Sequence, residues 1–153
     1  MAATRQATAV WNGDLMKGSG DVTAASSGKF SSLPVSWASR TEQPGGKTSP
    51  EELLAAAHAS CFCMALSNGL AKAGTPPVRL ECTATVTFDK VGDDWTVVSS
   101  ELAVTGAVAG MDDDAFARAA NNAKENCPIS RALKGNVKLS VRATLSKAAP
   151  ATA

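Results

Sequence analysis

The sequence has no excess of charge of either sign: 15 Lys and Arg face 14 Asp and Glu, a balance of +1. Binding to nucleic acid or a membrane surface through bulk electrostatics needs such an excess, so neither partner is expected. No apolar run reaches the roughly 18 residues that would suggest a membrane-spanning helix. The start, Met1-Ala2-Ala3-Thr4-Arg5-Gln6, lacks the apolar core of roughly 7–15 residues found in an export signal, and a cytoplasmic location is expected. No repeat with a period of about 20–50 residues is visible, which excludes a solenoid. The 44% hydrophobic content is spread along the chain, so the 153 residues are expected to form one domain, with 1–6 and 148–153 frayed. A chain this long buries roughly two-thirds of its unfolded surface and needs no cross-link to fold. Four cysteines are nevertheless present. Without an export signal they are expected to be reduced, reactive or metal-binding rather than structural disulfides.

The pattern of elements is α+β. Val10 and Trp11 lead into the turn residues Asn12-Gly13-Asp14, and Gly18 to Phe30 is rich in small and β-branched residues. Leu80, Cys82, Ala84, Val86 and Phe88 alternate with Glu81, Thr83, Thr85, Thr87 and Asp89, the mark of a half-buried strand. Gly92-Asp93-Asp94 turns this strand into a partner over Trp95 to Val108, an antiparallel hairpin. Val137 to Leu145 alternates in the same way. Between these segments, Ser49-Pro50-Glu51-Glu52 combines an N-cap, a first-turn proline and a capping-box glutamate. The helix it starts is expected to run to about Lys72 and, being apolar nearly all round, to be buried. Two further helices fit Asp112 to Glu125 and Pro128 to Leu133. Ser36 to Pro50, polar and rich in Gly and Pro, reads as a long loop.

The chemistry-bearing residues gather on the central helix and around the last two. At about 100° per residue, Glu51, Leu54, His58, Cys61 and Ala65 share an arc of roughly 80°, while Cys63 points roughly 160° away from Cys61. Cys127 precedes Pro128 as the N-cap of a helix, where its partial positive charge favours a thiolate. Cys82 falls in the apolar set of its strand and reads as core. Residue by residue, Cys61 and Cys127 are either a redox pair or two buried helix cysteines. Zinc on His58, Cys61 and Cys63 is disfavoured, because cysteines two apart on a helix diverge and no second ligand pair has finger-like spacing. Arg40 reads as a loop arginine and Glu51 as a first-turn acid.

The stretch Gly46-Lys47-Thr48-Ser49-Pro50-Glu51-Glu52-Leu53-Leu54-Ala55-Ala56-Ala57-His58-Ala59-Ser60-Cys61-Phe62-Cys63-Met64-Ala65-Leu66 resembles the central helix of the OsmC/Ohr family of thiol-dependent hydroperoxide reductases. Asn126-Cys127-Pro128-Ile129-Ser130-Arg131-Ala132-Leu133 resembles that family's second cysteine segment, and Trp11-Asn12-Gly13-Asp14 and Phe88-Asp89-Lys90-Val91 also fit. His58 and the Ser39-Arg40-Thr41-Glu42 segment make the chain more similar to the OsmC branch than to the Ohr branch. The resemblance implies a peroxidatic Cys61, a resolving Cys127, Arg40 as the cation beside the thiolate and Glu51 as the carboxylate orienting it. It also implies antiparallel sheets packed on the central helix, an intertwined homodimer, an organic hydroperoxide substrate, an external thiol or dithiol reductant, and no metal or cofactor. A redox-sensing or ligand-binding member with little turnover is the competing expectation. Ten residues of helix separate Glu51 from Cys61 by about 15 Å along the axis, so Arg40 must bridge them, the first turn must deviate, or a partner chain must supply one of the site residues.

Overall fold

The computed structural model describes residues 1–146; the expected frayed tail lies outside them. Contacts divide the chain into two compact units, Met1–Leu53 and a second beginning at Leu54. In the first unit, β1 (Thr8–Asn12), β2 (Ser19–Thr23) and β3 (Leu33–Val35) form an antiparallel sheet in that order. Asp14 shapes the β1–β2 turn by accepting from the backbone N–H of Met16 and Lys17. Near the N-terminus, Gln6 exchanges two hydrogen bonds with Ser26.

The segment read as a long loop contains a short helix, α1 (Trp37–Thr41). Ser36 and Ser39 cap its N-terminus reciprocally, and the Ser39 hydroxyl also bonds to the Thr48 carbonyl at 3.0 Å. A bridge between Val35 and Thr48 returns the chain to the sheet. Next, α2 (Pro50–Lys72) starts where the sequence places it. Ser49 Oγ accepts from the Glu52 N–H as expected of a cap, but the Glu52 carboxylate is taken by the Thr48 hydroxyl at 2.5 Å, so only half of the expected capping box forms.

In the second unit, β4 (Arg79–Val91) and β5 (Asp94–Ala107) make the expected antiparallel hairpin. α3 (Asp113–Asn126) and α4 (Pro128–Leu133) then carry the chain across, so that β6 (Lys138–Leu145) joins β5 in parallel. This corrects the expectation of purely antiparallel sheets: a helical crossover is the connection a parallel neighbour requires. The core of this unit is Phe62, Leu66 and Leu70 of α2, Leu102 and Val104 of β5, Phe116, Ala120 and Ala123 of α3, and Cys127.

The burial expected of the central helix is only partial within the single chain. One face of α2 is covered, but Ala56, Ala57, Ser60 and Met64 are exposed, Met64 to 66%. Its most apolar 18-residue window has a mean hydropathy of 1.4 and is only 22% buried. By length and composition alone such a helix passes for a membrane span, as the core helix of a globular protein also does.

Candidate active site

In the first unit, the α1 caps fix the short helix that carries Arg40, and the first turn of α2 presents Glu51. The guanidinium meets the carboxylate side-on: Nη2 lies 2.6 Å from Oε1, and Nε lies 3.2 and 3.1 Å from Oε1 and Oε2. Glu51 is buried, and Arg40 also lies over the Trp37 ring, 5.7 Å from its centroid. A forked pair of this kind holds the guanidinium plane as well as its charge.

In the second unit, Cys61 and Cys127 are neighbours. Cys127 sits at the junction of α3 and α4, fully buried, its N–H donating to the Ala123 carbonyl and its carbonyl accepting from the Arg131 N–H. The Cys61 thiol, half-buried on α2, lies beside Cys127. Burial pushes the Cys61 thiol up; the Ile129 N–H, aimed at the sulfur, pulls it back, and Cys127 pushes it up further. None of these influences is a cation.

The other two cysteines also form a pair. Cys63 and Cys82 lie side by side; burial first, then the neighbouring Cys63, push Cys82 up to about 12. Cys63 is raised by burial and partly restored by its neighbour Cys82. Cys82 is therefore packed against the core as its strand pattern indicates, yet it touches another thiol, which a period-two pattern has no means of revealing. A cavity of about 480 Å³ opens beside Cys63, lined also by Met64, Ser67, Pro77, Arg79 and Leu80.

His58 is fully buried, its Nδ1 2.7 Å from Ser100 Oγ and its Nε2 2.8 Å from Ser130 Oγ. Both ring nitrogens are engaged, which weighs against the zinc reading. Among the described residues no group of three or more His, Cys, Asp or Glu is arranged to hold a metal ion. Ser100 and Ser130 carry no signal in the sequence, being single hydroxyls in a strand and a short helix. Burial also lowers the pKa of His58 below its ordinary 6.5.

Of the four residues singled out from the sequence, Cys61 and Cys127 are brought together in one unit and Arg40 and Glu51 in the other. Related proteins share both the sequence and the fold. The chain is 38% identical over 139 residues to peroxiredoxin OsmC of Escherichia coli strain K12, covering 91% of this chain and 96% of that protein. Its fold is similar to the organic hydroperoxide resistance protein OhrB of Bacillus subtilis, with a TM-score of 0.72 at 23% identity over 91% of this chain and 98% of that one. It is likewise similar to an organic hydroperoxide resistance protein from Elizabethkingia anophelis, with a TM-score of 0.73 at 20% identity over 95% and 99% of the two chains. Residues 43–142, a span holding Glu51 and all four cysteines, match the family model described as OsmC-like protein, and with the identity to the E. coli protein this establishes that the chain belongs to the OsmC-like family.

Proposed function

We propose that the chain is a thiol-dependent peroxidase that reduces organic hydroperoxides to alcohols, and that it works in the cytoplasm. The observation that carries the reading is the contact between the thiols of Cys61 and Cys127; the names of the related proteins, a peroxiredoxin and two hydroperoxide resistance proteins, agree with it.

The Cys61 thiolate attacks the terminal oxygen of the hydroperoxide and the O–O bond breaks. The alkoxide leaves with a proton as the alcohol, and Cys61 becomes a sulfenic acid. Cys127 then attacks the Cys61 sulfur and water leaves, forming a disulfide before further oxidation occurs. An external thiol or dithiol reopens the disulfide by exchange.

Burial and Cys127 both hold the proton on Cys61, so the first step requires a positive charge brought to the sulfur. Arg40, permanently charged and held in a plane by Glu51, is the group we assign to it. The exposed face of α2 supports a homodimer, with Met64 and its neighbours covered by a second copy and the arginine pair of one protomer serving the cysteines of its partner. The apolar surroundings of Cys61 favour an alkyl hydroperoxide over hydrogen peroxide.

The test is a peroxidase assay that compares an alkyl hydroperoxide with hydrogen peroxide, using monothiol and dithiol donors. Cys61→Ser is expected to abolish consumption. Cys127→Ser is expected to complete one reduction and then stall or over-oxidise. Full turnover by Cys61→Ser overturns the assignment, and a stable disulfide that no donor reopens favours a redox sensor instead.

A further inference from the structure

The peroxidase reading leaves His58 without a task, and its surroundings define one. A neutral imidazole carries one N–H and one lone pair. Both ring nitrogens of His58 are turned to serines rather than to a thiol. One serine donates to it and the other accepts. Ser100, Ser130 and His58 are each at most 1% exposed, so both bonds lie away from solvent. The bridge joins the middle of α2 to β5 through Ser100 and to α4 through Ser130.

Its position relative to the thiols is regular. His58 precedes Cys61 by three residues on α2 and faces the same side. Ser130 follows Cys127 by three residues, within the first turn of α4. The His58–Ser130 bond and the Cys61–Cys127 contact thus link the same two helices about one turn apart. Ile129, whose N–H meets the Cys61 sulfur, is the residue before Ser130. α4 has only six residues and its N-cap makes no side-chain hydrogen bond, so it draws little rigidity from its own turns.

Disulfide formation is demanding in geometry, since the two Cβ atoms must come to about 3.8 Å apart with the sulfurs near their preferred torsion. Attack of Cys61 on a hydroperoxide asks of α4 only the single contact from the Ile129 N–H, without the torsional demand of a disulfide.

We propose that His58 is a positioning residue for the resolving step: by clamping Ser130 it holds α4 in register with α2, so that Cys127 meets the Cys61 sulfenic acid at disulfide distance. This rests on the Cys61–Cys127 chemistry above. In the step concerned, the Cys127 sulfur bonds to the Cys61 sulfur, the sulfenic oxygen leaves as water with the Cys127 proton, and no further oxidant is consumed.

The experiment is a single turnover of the full chain with one equivalent of tert-butyl hydroperoxide, following Cys61 sulfenic acid by dimedone trapping and the disulfide by mass spectrometry. Ser130→Ala removes the clamp with the least loss of volume; His58→Leu removes it from the other side. A misplacement of about 1 Å in a reacting pair costs up to about 100-fold in rate. In Ser130→Ala we therefore expect sulfenic acid to form within about twofold of the wild-type rate, but to resolve at least about tenfold more slowly. Excess hydroperoxide then drives Cys61 to the sulfinic acid, and His58→Leu, where it folds, shows the same split. A folded Ser130→Ala protein that resolves as fast as wild type overturns the proposal, as does a loss of both steps by the same factor, which marks a merely structural role. Absence of any Cys61–Cys127 disulfide in the wild-type protein overturns the underlying reading instead.

Discussion

Four thiols of one residue type occupy different settings, set by burial and by the neighbour each one meets. Cys82, held at about 12 by burial and by Cys63, is almost entirely protonated at pH 8, so iodoacetamide is expected to label it far more slowly than Cys63 until the protein unfolds. Peptide mapping of partially alkylated protein checks this; equal labelling of Cys63 and Cys82 contradicts it. His58 makes the corresponding statement for acid. Its pKa is lowered in the folded protein while the unfolded chain titrates near 6.5, so below that pH the unfolded state binds the additional proton. The stability contributed by the neutral bridge is complete above about pH 6.5 and falls as the pH drops toward the folded-state value, with a slope of at most about 1.4 kcal/mol per pH unit. Thermal melts of wild type and Ser130→Ala between pH 7.5 and 5 read it: the wild-type midpoint is expected to fall over this range, and a flat profile refutes the assignment. These settings were only partly legible. Cys61 and Cys127 stand out in the sequence through their helix positions, whereas Cys63 with Cys82, and His58 with its two serines, are contacts between elements distant along the chain.

At the scale of elements, local signals placed most boundaries. Ser49 and Pro50 start α2, Pro128 starts α4, and Asp112 caps α3 by accepting from the Ala115 N–H at 2.7 Å. α1 carries no signal in the sequence, because five residues in a polar Gly- and Pro-containing segment show no helical period. β6 was legible as a strand, but its parallel pairing with β5 follows from the α3–α4 crossover rather than from its own alternation. The packing of that crossover on the sheet has a sharp consequence at Gly106, on β5. A Cβ there would overlap the edge of the Phe116 ring at Cζ and Cε2, and that ring is fully buried on α3. Gly106→Ala must displace the ring or the helix, and overpacking of this kind costs about 1–3 kcal/mol. Denaturant unfolding is expected to show that loss, and an unchanged midpoint would mean that α3 is not seated as described.

For the whole molecule, the exposed apolar face of α2 decides most. Met64 is 66% exposed on a helix whose other side carries Phe62, Leu66 and Leu70 into the core. In the proposed homodimer a second copy covers this face, and placing a carboxylate there is costly, so Met64→Glu is expected to shift the protein from twice the 15.6 kDa chain mass toward the single chain. Light scattering after size exclusion measures it. A wild-type protein that runs as a single chain removes the dimer and with it the sharing of Arg40 across protomers. By itself, the sequence determined the α+β succession, the start and length of α2, and the pair of cysteine segments that carries the family resemblance, because caps, alternation and proline act over a few residues. Only the tertiary structure decided that Arg40 grips Glu51, that Cys63 touches Cys82, that β6 runs parallel and that half of α2 is bare. Each of these is a meeting of surfaces whose partners local rules leave open, and burial, which sets the thiol and imidazole pKa values, exists only once those surfaces have met.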